Sequence, residues 1–211
     1  MCPYGPDTHD RLLNEKGHSM ESEQLKLEII IGSVRKGRFG PTVANWFASQ
    51  ARQVEEFEVD VIDLAGFDFP VSMAASPDVD EFARRIDDAD AIVVVTPEYN
   101  HSFPGPLKTA IDSVGKPWRA KPVAFVSYGG MSGGLRAVEP LRVVFAEVHA
   151  MTIRDTVSFH GVWDKFDDNG EPRDYESANS SAQVVLDQLG WWARALKSAR
   201  EVPPYARTIA V

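Results

Sequence analysis

The chain has 211 residues, of which 44% are apolar and 25% charged, as expected for one soluble globular domain with a well-buried core. A net charge of -9 argues against nucleic acid as the main partner, because a phosphate backbone calls for a basic face. The longest apolar run, Ala91 to Val95, is far below the roughly 18 residues that span a bilayer, and no basic start followed by an apolar core marks a secretory signal, so no membrane partner is expected.

Residues 1–24 are polar, carry Pro3, Gly5, Pro6 and Gly17 and show no periodicity. They are expected to form a loosely ordered extension, with Met20 an alternative start. Cys2 is the single cysteine, which excludes an intramolecular disulfide and fits a reducing, cytoplasmic setting. From there five β-branched runs alternate with amphipathic segments. The strands are expected at Leu27–Ile31, Val59–Leu64, Ala91–Thr96, Pro122–Ser127 and Met151–Val157. The helices are expected at Thr42–Val54, Val79–Ala89, Gly105–Val114, Leu135–Val148 and Glu176–Ser198. This alternation means right-handed βαβ units, hence an α/β domain over residues 25–200 with a C-terminal tail at 201–211. Five parallel strands with helices on both faces suit a flavodoxin-like three-layer sandwich of strand order 2-1-3-4-5, an expectation from architecture rather than from periodicity. In such sheets ligands bind beyond the carboxyl ends of the strands.

The loop after the first strand reads Gly32-Ser33-Val34-Arg35-Lys36-Gly37-Arg38-Phe39-Gly40 and runs into a helix opening with Pro41. Three glycines free backbone N–H groups to turn inward, and a helix start adds partial positive charge. Ser33, Arg35, Lys36 and Arg38 add further donors. The spacing of Gly32 and Gly37 matches a nucleotide-triphosphate loop, but Arg38 and Phe39 stand where lysine and a hydroxyl residue are required. The dinucleotide pattern fails at Val34. A monophosphate site leads over a glycine-rich surface turn whose basic residues are merely solvated.

The loop after the third strand, Thr96 to Lys108, is stiffened by Pro97, Pro104 and Pro106. Tyr99 offers a stacking face and Asn100 a paired donor and acceptor, the groups that a heteroaromatic ring with carbonyl and imide edges requires. The alternative is a rigid loop whose Tyr99 and Phe103 plug the core. Glu98 and His101 as an acid/base pair compete with plain hydrogen-bonded scaffolding. The five histidines show no metal-ligand spacing, so no metal is expected. The fourth strand ends in Ser127-Tyr128-Gly129-Gly130-Met131-Ser132-Gly133-Gly134, which permits close approach of a flat ligand, with Ser132 a cap for the following helix.

Together the stretches GSVRKGRFG, TPEYNHSFPGPLKTAID and SYGGMSGG, each after a strand, resemble the NADPH-dependent FMN reductase family, which includes quinone, chromate and azo-dye reductases. The similarity covers about residues 27–158. It implies that the first loop holds the FMN phosphate through Ser33, Arg35, Arg38, Phe39 and Gly40. Family members often carry serine and asparagine where this chain has Arg38 and Gly40, which implies contacts replaced by a guanidinium or by backbone donors. It implies that Pro97, Glu98, Tyr99 and Asn100 lie along the isoalloxazine and that Ser127, Tyr128, Gly129 and Gly130 line the ring's other edge. It further implies NADPH or NADH as donor, a small acceptor, two-electron ping-pong hydride transfer with no catalytic side chain, and a homodimer or homotetramer.

Three rivals are weighed. A flavodoxin-type one-electron carrier usually has a Ser/Thr-rich phosphate loop and no PEYN stretch. A receiver domain needs an acidic pair where Gly32-Ser33 stands. A protein that has lost its cofactor would be colourless and would ignore added FMN. Further along, Trp163 and Phe166 either pack or cover a site or a subunit partner, Asp168-Asn169-Gly170 reads as a turn rather than a calcium loop, and Trp191 and Trp192 cannot both face the core.

Overall fold

The computed structural model describes residues 24–201. The expected extension at 1–24, apart from Gln24, and the expected tail at 201–211, apart from Glu201, which ends the last helix, lie outside the described residues, Cys2 and Met20 included. The strands are β1 (Leu25–Ile31), β2 (Phe57–Asp63), β3 (Ala91–Pro97), β4 (Pro122–Gly129) and β5 (Met151–His160). The helices are α1 (Gly40–Ala51), α2 (Pro77–Asp88), α3 (Gly105–Ser113), α4 (Leu135–Glu147) and α5 (Tyr175–Glu201). All strand pairs are parallel and the order is 2-1-3-4-5, the flavodoxin-like arrangement expected.

Alternation along each strand divides the apolar side chains between two layers. Leu27, Ile29, Ile31, Val93, Val95 and Val126 pack beneath α1 and α5 against Val43, Phe47, Val185 and Leu189. Ile30, Ile92, Val94, Val123 and Phe125 pack beneath α2, α3 and α4 against Phe82, Ile86, Ile111, Leu141 and Phe145. Every residue of β3 is buried, which explains why it reads as an unbroken apolar run. Each fully buried aromatic or aliphatic side chain contributes about 1.5–3 kcal/mol. The two fully buried indoles also find acceptors: Trp46 Nε1 donates to Asn179 Oδ1 and Trp118 Nε1 to the Ile111 carbonyl, both at 3.1 Å.

Two features were not readable from periodicity. β5 is an edge strand whose register against β4 slips between Val123 and Phe125. The extra β5 residues are held by Arg142 of α4, whose guanidinium donates to the carbonyls of Ile153 and Arg154 at 2.5 and 2.8 Å. Midway along β1, Glu28 is buried and receives Arg85 of α2 through both oxygens, at 2.7 and 3.2 Å. Burial outweighs the arginine, and nearby Asp60 adds like-charge repulsion, so the Glu28 carboxyl is pushed up to about 7.

Candidate functional site

Because β1, β3 and β4 are parallel neighbours, their carboxyl ends deliver Gly32, Glu98 and Gly130 side by side. Backbone hydrogen bonds lock the three loops together: Gly32 N–H donates to Val95 O at 2.9 Å and Glu98 N–H to Tyr128 O at 3.2 Å. The segment after β5 joins them, since Gly161 N–H donates to Gly130 O at 2.9 Å. These loops enclose a cleft of about 230 Å³.

From the first loop, Ser33, Arg35, Gly37, Arg38 and Phe39 line the cleft. Ser33 is fully buried and its hydroxyl lies 2.6 Å from that of Tyr99. The exposed Arg35 sets its guanidinium over the Tyr99 ring, 5.7 Å from the centroid. Arg38 is not a freely solvated cation: it forms an ion pair with Asp63 at the end of β2. The half-buried Phe39 leans on Phe166, with centroids 6.3 Å apart. α1 starts at Gly40, one residue before Pro41, and no side chain caps it, so its first-turn N–H groups have no partner within the helix. Gly40 is buried beneath the cleft rather than lining it, because a Cβ there would lie 2.8 Å from Ile31 Cγ2 and 3.0 Å from the Tyr128 hydroxyl.

Pro97, Glu98 and Tyr99 line the cleft from the second loop. Asn100 does not. It shares a two-residue turn with His101, both at positive φ (49° and 68°), closed by Tyr99 N–H to Ser102 O at 2.8 Å. That turn carries both side chains into solvent. Glu98 is held elsewhere, by the Ser132 hydroxyl and by Arg136 at 3.6 Å. No hydrogen bond or ion pair joins Glu98 to His101 among the described residues, so the scaffolding reading is the one the geometry gives. Ser132 is thereby taken up by Glu98, and α4 instead begins after Gly134 with no side-chain cap, contrary to the expected role.

The third loop contributes Tyr128, Gly129 and Gly130. Ser127 is buried out of the cleft and donates to the Gly133 carbonyl at 2.8 Å. A Cβ on Gly129 would meet Gly134 N at 3.3 Å and Glu98 Cβ at 3.6 Å, so backbone packs on backbone here. The Tyr128 ring points not along its own loop but towards the first, where its hydroxyl abuts Gly40. Burial, then the neighbouring Tyr99, hold the Tyr128 phenol well above its ordinary range.

Two residues that sequence reasoning left between packing and function, or did not single out, also reach this cleft. Trp163 is 62% exposed and lies against Gly130, and Val162 lies beside it. The signal for Trp163 was its place after the last strand; Phe166, grouped with it, is core. The set is rich in donors and poor in free acceptors. Arg38 Nε and the Tyr128 hydroxyl are the buried side-chain polar atoms left without a partner among the described residues, and such atoms cost about 1–3 kcal/mol each. A guest that accepts hydrogen bonds at the α1 end and presents a flat face to Tyr99, Gly129 and Gly130 fits; FMN has both parts.

Fold and site thus define a flavodoxin-like α/β protein whose cleft, at the topological switch point, is lined by arginines, aromatic rings and glycines. The chain belongs to the NADPH-dependent FMN reductase family, whose model matches residues 25–164. It is an oxidoreductase with FMN as cofactor and NAD(P)H as electron donor. It is 36% identical over 122 residues to an NAD(P)H-dependent FMN reductase of Schizosaccharomyces pombe, a match spanning 52% of this chain and 60% of that protein. It is 31% identical over 176 residues to an NAD(P)H:quinone oxidoreductase of Solanum tuberosum, spanning 77% of this chain and 90% of that one. Its fold is similar to that of FerB, a flavoenzyme NAD(P)H:(acceptor) oxidoreductase from Paracoccus denitrificans, with TM-score 0.66 and 21% identity over 81% of this chain and 98% of that one. No helix among the described residues is long and apolar enough to cross a membrane.

Proposed function

We propose that this chain passes two electrons from NAD(P)H to a quinone or a similar small acceptor at the cleft between the first, second and third loops, in a ping-pong sequence. The observation that carries this is the meeting, in one cleft, of an uncapped cationic helix start with two aromatic faces and a glycine-only backbone wall. Bound FMN supplies the hydride-accepting and hydride-donating centre.

The residues hold and orient. Arg35 and the first-turn N–H groups of α1 bind the phosphate. Pro97, Tyr99, Gly129 and Gly130 fix the plane of the ring, and Glu98, tied to Ser132 and Arg136, holds the second and third loops at a set separation. Arg38 is spent largely on Asp63 and steadies the loop. Trp163, exposed at the mouth, gives nicotinamide and acceptor a common apolar surface, and one shared surface imposes alternation between them. No side chain is assigned to proton transfer. A quinone acceptor is favoured because the relatives named above include a quinone oxidoreductase; azo dyes and chromate are further acceptors to assay.

The same reading includes a homo-oligomer. Val184 and Trp191, seven residues apart on α5 and therefore on one face, are 46% and 57% exposed, while Trp192 turns towards the core. The experiment for the cofactor and the kinetic order is direct. Flavin released by heat should chromatograph as FMN, and initial rates with varied NADPH and quinone should give parallel double-reciprocal lines. Mainly FAD, or intersecting lines, would overturn the assignment.

A further inference from the structure

We infer that the Tyr128 phenol donates a hydrogen bond to the terminal phosphate of the bound flavin nucleotide, from the space beside Gly40. The inference rests on the phosphate assignment of the first loop proposed above.

Tyr128 belongs by sequence to the third loop, yet its hydroxyl stands at the start of α1. It lies 3.0 Å from where a Cβ on residue 40 would be, so the phenol occupies room that only a glycine leaves. The residue is 4% exposed and lines the cleft, and among the described residues its hydroxyl makes no hydrogen bond of good geometry, Ser33 being a polar neighbour whose own hydroxyl is turned to Tyr99. Arg38 Nε, from a different element lining the same cleft, shares that condition. No other buried side-chain polar atom does among the described residues. Two such atoms converging on an uncapped helix start, next to Arg35, point to one missing partner rather than two unrelated defects.

The chemistry of that partner follows from the donors. An arginine Nε–H can only donate, and so can the first-turn N–H groups of a helix. The phenol keeps its proton, because burial resists its ionisation. Ser33 is already joined to Tyr99. With two donor-only groups and a phenol that has an O–H to give, the guest that satisfies all three at once is one that only accepts, which a phosphate is and the ring's mixed carbonyl and imide edge is not.

The test compares the full chain, stripped of flavin, as wild type and as Tyr128→Phe. Each is titrated with FMN and with riboflavin by fluorescence quenching, and each apoprotein is melted. The wild type should prefer FMN. Tyr128→Phe should lose about tenfold or more in FMN affinity, as expected for a hydrogen bond to a charged group, and nothing for riboflavin. Its melting temperature should not fall, because the deleted hydroxyl had no partner to lose. Equal losses for both ligands, no loss for either, or a lowered melting temperature with both ligands weakened would overturn the inference. In each of those cases a retained FMN preference in the wild type leaves the first-loop phosphate assignment standing. A wild type with no preference for FMN would instead sink that assignment and this inference with it.

Discussion

At the scale of single residues, the two arginines of the first loop, similar in sequence, are given different tasks by their surroundings. Arg35 is exposed over Tyr99 with no carboxylate partner among the ion pairs of the described residues, whereas Arg38 is paired with Asp63. Arg35→Ala should therefore weaken FMN by roughly 10- to 150-fold, equivalent to about 1.5–3 kcal/mol, and riboflavin far less. A differential titration measures this, and equal losses would mean that Arg35 shapes the loop instead of holding phosphate. The first loop was legible because glycines, cations and a proline-opened helix are local signals. The Arg38–Asp63 pair was not, since it joins the first loop to the end of β2, 25 residues further along the chain. The Tyr128 orientation was hidden for the same reason: sequence order assigns it to the third loop, and only the β1–β3–β4 adjacency shows that its ring can reach the first.

At the scale of elements, the glycines of the third loop fall into different classes from that of Gly37. Gly37 has φ +69° but open space around it, so Gly37→Ala should cost about 1–2 kcal/mol, the strain of a left-handed residue alone. Gly134 has φ +88°, and a Cβ there would lie 2.8 Å from both Tyr128 N and Ser127 Cβ. Gly134→Ala should cost more than about 2 kcal/mol, because strain adds to a backbone clash that no rotamer relieves. Denaturant unfolding of the two variants should separate them clearly; similar costs would mean that the loop moves aside. The βα elements themselves were readable to within about three residues, since their periods of 2 and 3.6 are local. The β5 slip was not, because it depends on Arg142 reaching across from α4.

The Glu28–Arg85 contact gives the β1–α2 junction a pH dependence. The folded-state carboxyl is raised from 4.5 to about 7, so the native state binds the proton more tightly than the unfolded chain does. Its contribution is therefore fully present below about 4.5 and is lost as pH rises through about 7. Other groups add their own slopes, so the comparison is with Glu28→Gln. Stability profiles from pH 5 to 8 should show the wild type losing more stability on alkalinisation than the variant. Parallel profiles would show that Glu28 titrates at an ordinary value.

At the scale of the whole molecule, the sheet's two apolar faces are covered by their own helices, and the exposed apolar residues of α5 are left over. Light scattering should report an oligomer at micromolar concentration, and Trp191→Glu should shift it towards monomer; a fully active wild-type monomer would remove the oligomer from the account. The central claim concerns the cleft as a place of electron transfer, and two anaerobic half-reactions on the reconstituted holoprotein test it most directly. Adding NADPH or NADH should bleach the flavin absorbance, and adding a quinone after the nicotinamide is removed should restore it in a second, separate step. A flavin band that neither nicotinamide bleaches, or a bleached band that no quinone restores, would contradict the account.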